Sequence, residues 1–380
     1  MTDLFSSSAH PLIPPTQEAD RLAWLRLLRS RRVGISTFYK LMSEHGSAQE
    51  CLHHLPEIAR AAGIDQYTVC PNDVAERELQ LGQKYNAHLI CRGAPDYPAL
   101  LNDLPDAPPL FWARGDLTLF NRPSLSIVGA RNASSLGMRT ARFLATELGE
   151  QGYVITSGLA RGIDTAAHGA SLGTGTIAVL GGGLDVPYPT ENTQLMRSIW
   201  EQGMLLSEQP FGTQPKARHF PIRNRIISGL SRAIIVIEAA AKSGSLITAR
   251  NALDQGRDVF AVPGHPFDAR ASGCNMMIRD GATLIRHAAD VIEALAPLSD
   301  TPPVSEPPQP QPEPKRSLRD TAKLHTTLLN QLSPTPVSED QVIRDLGISA
   351  AQAGSLFIDM EIEGHIQRMP GGLIALAAKH

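Results

Sequence analysis

The sequence predicts an α/β fold, an extended Rossmann-like parallel sheet preceded by a small helical domain and followed by a winged helix. Three observations carry that prediction. Between residues 88 and 296, short runs rich in Ile and Val alternate with helix-length segments, the pattern of a parallel sheet covered on both faces. Before them Leu22, Leu25 and Leu28 recur at helical spacing, and after them a proline-dense stretch leads to three helix-like segments and a hairpin.

Residues 1–18 are rich in Ser and Pro, offer little to bury and are expected to form a disordered tail. Residues 19–87 read as a helical domain of the SAM or helix-hairpin-helix kind. Its Val33-Gly34-Ile35-Ser36 turn resembles the hairpin of such modules, where backbone amides can meet a phosphate; packing or partner docking is the other reading of so common a turn. The stretch from His88 to Phe120 is dense in Pro and too irregular for a long helix, so it is expected to be an extended entry into the α/β domain of residues 88–296. Strands then fall on SLSIVG, YVIT, TIAVLGG, MLLSE, AIIVIEA and DVFAVPG. Helices are expected between them, from about Ser134, after Asp164, from Asn192, through RNRIISGL and from Ser245. Residues 297–316, PLSDTPPVSEPPQPQPEPKR, should be a stiff extended linker, and residues 317–380 a winged helix.

The chain has 380 residues, 42% hydrophobic and 19% charged, with a formal net charge of -3. No overall basicity marks it for nucleic acid, so any such site must be a local patch. Cys51, Cys70, Cys91 and Cys274 lack the spacing of a zinc site or a disulfide framework, which fits a reducing compartment. The N-terminus does not have the pattern of a signal peptide, and no run of about 20 apolar residues could span a bilayer. A soluble, cytoplasmic protein without membrane contact is the expectation.

In a parallel α/β sheet, ligands bind beyond the carboxyl ends of the strands. Four loops there are rich in Gly, Ser and Arg. IVGARNASS carries Gly129 and Arg131; TSGLARGIDTAAH carries Ser157, Gly158, Arg161 and Gly162; LGGGLDVPYP is read as a mobile glycine run; EAAAKSGSLITA sets Lys242, Ser243 and Gly244 at a helix start. Backbone N–H groups and guanidinium groups in such loops suit an anion. None fits the G-x-x-x-x-G-K-[ST] loop of nucleotide hydrolases, and no G-x-G-x-x-G opens the first turn. Residues 209–237 add Lys216, Arg218, Arg223, Arg225 and Arg232 without one acidic residue, a local positive field in a slightly acidic chain.

The segments SGLARGIDTAAH, FPIRNRIISGLS, EAAAKSGSLITA and AVPGHP, in this order and spacing, resemble the DNA-processing protein A (DprA/Smf) family. The likeness covers the whole α/β segment. It implies a non-enzymatic protein that binds and protects single-stranded DNA, loads the recombinase RecA onto it in natural transformation, and forms a homodimer through the α/β domain. No metal-ligand spacing appears anywhere in the chain, and neither a metal nor a cofactor is expected. Carried over residue by residue, the resemblance assigns DNA contacts to Ser157, Gly158, Arg161, Gly162, Asn224, Arg225, Lys242, Ser243 and Gly244, with Gly129, Arg131 and Arg223 beside them. Phosphate contacts would dominate, because Phe220, Phe211 and Tyr188 are the aromatic residues available near these loops for stacking.

Two rivals stand beside this reading. Sugar-phosphate hydrolases of the lysine-decarboxylase-like LOG type share a similar core but need a catalytic Glu after a Gly-rich loop, and between Glu238 and Asp254 this chain has no acid. Asp164 and His168 sit four residues apart on one helix face and could be drawn as an acid–base pair, although an Asp at the mouth of a helix is more simply a cap; Glu208 with His219, or His265, makes a thinner case. A transcription regulator would read DNA with the helix from Ala350 to Glu363, yet that helix ends in Asp359, Glu361 and Glu363 and has no Arg or Lys.

Overall fold

The computed structural model describes residues 10–296, 318–333, 335–369 and 372–377, and the chain divides after Ala296 into two compact units. The expected linker at 297–316 and the first nine residues of the expected tail lie outside the described residues. Residues 10–17 do not behave as a tail. The His10 amide donates to the Ser43 carbonyl at 3.0 Å, Pro15 is buried, and Leu12 packs on the helical core, so apolar contact holds a segment whose composition reads as disordered.

The first unit opens with α1 (Glu18–Arg29), α2 (Ile35–His45), α3 (Ala48–Ala61) and α4 (Asn72–Lys84). Gly46, at φ 78°, ends α2, and the Ser47 hydroxyl accepts the Glu50 amide to cap α3. The inward stripes meet in a core that includes Trp24, Leu27, Phe38 and Leu52, with Trp24 set edge-on to Phe38 at 5.2 Å.

The chain continues through β1 (His88–Cys91), α5 (Ala99–Asn102), β2 (Leu110–Gly115), β3 (Ser124–Gly129), α6 (Ser135–Glu150), β4 (Val154–Ser157), α7 (Ile163–Ser171) and β5 (Thr176–Val179). It ends through α8 (Thr193–Gln202), β6 (Met204–Ser207), α9 (His219–Gly229), β7 (Ala233–Ile237), α10 (Gly244–Asp254), β8 (Asp258–Ala261), α11 (Ser272–Arg279), β9 (Thr283–Leu284) and α12 (Ala288–Leu295). The strands form one sheet in the order β1-β2-β6-β5-β4-β3-β7-β8-β9. From β6 to β9 every pairing is parallel. Along β3, Leu125 and Ile127 enter the core on one face and Val128 the core on the other, which is why these strands read as continuous apolar runs.

Residues 88–120 are more than an entry segment, for they supply β1 and β2, with β2 antiparallel to both β1 and β6. Leu110, Phe111, Trp112 and Ala113 are buried and cover an edge that β6 would otherwise leave unpaired. The prolines flank these short strands, which hid them from a period-based reading. Trp112 also ties the sheet to the helices. Its indole N–H donates to Glu78 Oε1 at 2.8 Å, while Arg29 grips the same carboxylate through Nε at 2.9 Å and Nη2 at 2.8 Å.

The second unit has α13 (Leu318–Gln331), β10 (Val337–Ser338), α14 (Glu339–Leu346), α15 (Ala350–Ile362), β11 (Ile366–Met369) and β12 (Leu373–Leu376). Its strands pair in the order β10-β12-β11 around Leu328, Val342, Phe357 and Ile374, a winged helix. No helix among the described residues is long and apolar enough to cross a membrane.

Removing the Glu78 carboxylate takes away the acceptor of the buried Trp112 N–H and the anion that pairs the largely buried Arg29 guanidinium. Glu78→Ala is expected to lower the urea stability of the first unit by about 3–5 kcal/mol, and a loss below about 1 kcal/mol would show that this junction is not a major prop.

Candidate nucleic-acid interface

From β3 the chain steps outward through β4, β5 and β6, then returns to place β7, β8 and β9 on the other side. The strand order therefore reverses between β3 and β7, and the crevice outside their carboxyl ends is the place such sheets offer a ligand. A cavity of about 570 Å³ lies there. Gly129 and Arg131 line it from the end of β3, Arg223 and Asn224 from α9, and Lys242, Ser243 and Gly244 from the start of α10. A β-carbon on Gly129 would collide with the Ile237 carbonyl oxygen, so glycine lets β3 and β7 close at the floor of the crevice.

A smaller cavity of about 280 Å³ adjoins it and shares Arg131 and Arg223. Gly158, Arg161, Tyr188 and Phe220 are among its walls. The Arg131 guanidinium lies over the Phe220 ring at 5.3 Å, and Tyr188 and Phe220 are 5.5 Å apart at 34°. Arg161 faces Glu191 at 3.7 Å with both side chains largely exposed, a pairing of little energetic weight.

The loop between β4 and α7 is fixed from beneath. Asp164 is buried, and its Oδ2 accepts the amides of Gly158 at 3.1 Å and Ala160 at 3.3 Å. Burial pushes the Asp164 carboxyl up, against the pull of Arg223 and those amides. His168 Nε2 accepts the Leu159 amide at 3.3 Å, and Nδ1 meets Thr176 Oγ1 at 2.7 Å, whose own hydroxyl donates to Ile155 O at 2.8 Å. This assigns the proton to Nδ1 of a neutral ring. Burial, with Arg223 nearby, holds the His168 pKa down at about 3. The pair positions a loop in which Leu159 sits at φ 54° and Gly162 at φ 78°; at Gly162 a β-carbon would also strike the Ala130 carbonyl. The two side chains act as internal braces of the backbone.

Nine of the twelve expected contact residues line the two cavities. Ser157, Gly162 and Arg225 do not. Ser157 is buried, its hydroxyl donating to Ile127 O at 2.6 Å across β3, and Gly162 serves the turn. Arg225 is the clearest correction, because its guanidinium turns away from the crevice and is buried against Glu208 and the Asp106 carbonyl at 2.6 Å. Arg223 is buried too, with Nη1 donating to the carbonyls of Gly158 and Val179, yet its Nε has no partner among the described residues. Burial lowers its pKa to about 10, so it stays charged at neutral pH.

Two other expectations change. The glycine run after β5 is packed rather than loose, with Gly181 to Leu184 buried and the Gly183 amide bonded to Thr213 O at 2.9 Å. Phe211 packs half-buried against the helical core, stacked on Tyr85 at 5.5 Å and edge-on to Trp112 at 5.1 Å. The sequence reading missed Arg270, which reaches the larger cavity from the loop after β8; a single Arg carries no signal of its own. Glu238, at φ 52°, uses its carboxylate on the Ser134 amide at 2.8 Å and on the Ser134 hydroxyl, at the start of α6.

Fold and crevice together define an extended Rossmann-type protein with a cationic cleft at the topological switch point. The sequence matches the DNA recombination-mediator protein A family over residues 88–296, a DprA-like N-terminal HHH domain over 18–80 and a DprA winged helix domain over 308–372. Protein Smf of Escherichia coli is 37% identical over 315 residues, spanning 80% of this chain and 82% of that protein. Two solved structures agree. DNA processing protein A from Streptococcus pneumoniae matches with a TM-score of 0.54 at 35% identity, covering 69% of this chain and 98% of the other. The Helicobacter pylori protein, described for its single-stranded DNA binding mode, matches with a TM-score of 0.51 at 29% identity, covering 56% and 96%. The chain belongs to the DNA recombination-mediator protein A family, the DprA/Smf proteins, and so to the DNA-processing recombination mediators.

Two predictions separate bracing from binding residues. Arg225→Ala strands the Glu208 carboxylate in a buried site and is expected to cost about 3–5 kcal/mol in urea unfolding, with Glu208→Gln in the same chain restoring part of it; an unchanged midpoint for the single variant would return Arg225 to the surface. For His168, the unfolded chain takes up a proton near 6.5 while the folded chain refuses it until about 3. Between those values the unfolded state binds more protons, so the stability that neutral His168 confers is complete above 6.5 and is lost as pH falls. The stability advantage of the wild type over His168→Gln should therefore shrink from pH 7 to pH 5, by up to about 1.4 kcal/mol per pH unit once below 6.5. An advantage that stays constant with pH would contradict a buried neutral ring.

Proposed function

We propose that this chain binds single-stranded DNA across the carboxyl ends of β3 and β7, without reading its sequence, and protects it. The observation that carries the reading is the charge of the larger cavity. Arg131, Arg223, Lys242 and Arg270 face it against one carboxylate, that of Asp164, which is itself occupied with backbone amides. The cleft thus concentrates cations in a chain of net charge -3, and the N-terminal end of α10 adds a partial positive charge at Lys242 and Ser243. Tyr188, 46% exposed, and Phe220 give one aromatic wall for a base. The Helicobacter pylori relative, named for its single-stranded DNA binding mode, lends support from within the family.

Binding, rather than hydrolysis, suits the carboxylates. Glu238 and Asp164, the two acids beside the ends of β7 and β4, are both engaged in holding backbone, so neither is poised as a general base. In this reading the protein delivers the strand to a recombinase of the RecA type. It does so as a homodimer formed through the α/β domain, where Leu253, Met276 and Leu284 expose apolar surface on α10, α11 and β9, around the end of the sheet. The winged helix serves as a protein-contact or regulatory module, because Asp359, Glu361 and Glu363 are exposed on and just after α15.

Lys242→Ala tests the site. The variant should fold normally, bind every oligonucleotide sequence more weakly, and flatten the log–log salt dependence by roughly 0.7, the share of one neutralised phosphate on a single strand. Duplex DNA of equal length should compete poorly, since a cleft between two strand ends fits one backbone. Wild-type affinity and salt slope in Lys242→Ala, or equal competition by duplex, would refute the proposal.

A further inference from the structure

Phe267 stands on the loop between β8 and α11 and is 94% exposed, more than any other large apolar side chain among the described residues. The loop that presents it is not slack. The Phe267 amide donates to His265 Nδ1 at 3.3 Å, and the Asp268 amide to His265 O at 2.9 Å. Asp268 in turn holds Arg270 through its amide at 2.9 Å and through Nε and Nη2 at 3.1 and 3.0 Å. Asn275 clamps the start of the loop by exchanging bonds with the Gly264 amide at 3.1 Å and carbonyl at 2.9 Å. At its far end Ser272 Oγ accepts the Ala241 amide at 3.1 Å, tying the loop to the one that carries Lys242. A rigid turn therefore holds an aromatic ring in water.

The surroundings select the partner. A ring meant for a protein interface normally sits in an apolar patch that excludes water around it. Here the residues that flank it in the chain are His265, Pro266, Asp268, Ala269 and Arg270, with the His265 ring 5.6 Å away. One flat ring among polar and charged neighbours suits a flat, amphipathic partner. Three residues on, Arg270 lines the cleft itself. We propose that Phe267 is a stacking platform for a base of the single strand where it leaves the cleft past Arg270, a contact outside the phosphate-binding crevice. This rests on the reading of the cleft as a single-strand site. It also supplies a contact that charge alone does not give, one made to bases and indifferent to their identity.

The experiment compares full-length wild type, Phe267→Ala, Phe267→Trp and Lys242→Ala on two ligands. One is an oligothymidine long enough to extend past the cleft at both ends; the other is a sugar-phosphate chain of the same length without bases. Phe267→Ala should bind oligothymidine about fivefold or more weakly, with its salt slope unchanged because every cation that meets a phosphate is still in place. On the base-free chain it should match the wild type. Phe267→Trp should restore oligothymidine binding, and its emission should be quenched by oligothymidine but not by the base-free chain. That signal is readable because Trp24 and Trp112 are buried and Trp200 lies under Arg114 at 4.0 Å. Equal affinity of Phe267→Ala and wild type for oligothymidine, while Lys242→Ala is weakened, would overturn the platform and leave the cleft standing. Equal weakening on both ligands, or a weakening that tracks dissociation of a dimer in sedimentation, would overturn it as well, the latter making Phe267 an interface residue. Wild type that binds neither ligand would remove the cleft reading and this one together.

Discussion

The guanidinium of Arg223 is the interaction on which the cleft depends. From α9 it reaches under the loops and donates to the carbonyls of Gly158 and Val179, at the ends of β4 and β5. Burying that charge costs free energy that only hydrogen bonds and a nearby anion can offset. Asp164 supplies the anion from the start of α7, and its own carboxylate is held by the amides of the loop that Arg223 grips from the other side. The β4–α7 loop and the end of β5 are thereby locked around one buried guanidinium. The same guanidinium forms part of the wall of both cavities. Structural brace and positive surface are one group here, which explains a basic residue at a depth where a purely structural role would be filled by an apolar one.

Arg225 shows how far the sequence could be read. Two residues along a helix of 3.6 per turn are about 200° apart, so Arg223 and Arg225 must point to opposite sides of α9. The basic run from Lys216 to Arg232 announces a positive field, but nothing in it says which arginine faces the crevice. The answer lies in Glu208, at the end of β6, which looks solitary in sequence and is brought to Arg225 by the crossover from β6 to α9. The parallel strands were legible because burial on both faces makes each one continuously apolar. β1 and β2 were not, because they are short and flanked by prolines. Arg270 was invisible for a simpler reason, being one arginine in a loop of no marked composition.

The winged helix illustrates the converse. Its helices and hairpin were legible from spacing alone, and α15 carries Asp359 with Glu361, exposed, where a major-groove reader would carry cations. The added strand β10, two residues long, left no trace in the pattern. In a chain whose charges nearly cancel, function is decided by where each sign is gathered, and here the cations gather at the switch point while acids gather on the last helix.

Two helices begin beside that switch point, α6 after β3 and α10 after β7, and each offers the positive end of its dipole. The protein treats them differently. At α6, Glu238 reaches across from the end of β7 and binds the Ser134 amide and hydroxyl, so a carboxylate of the chain itself occupies the position an incoming anion would take. To do so it adopts φ 52°, a conformation a non-glycine residue accepts only when its contacts hold it there. At α10 the first turn has no acidic residue, and the start is marked by Lys242, Ser243 and Gly244. Of two equivalent anion sites, one is filled from within and the other faces the cavity with a lysine beside it. In the proposed binding mode that asymmetry would direct a phosphate chain toward the β7 side of the crevice, toward Lys242 and Arg270, with Glu238 closing the α6 side.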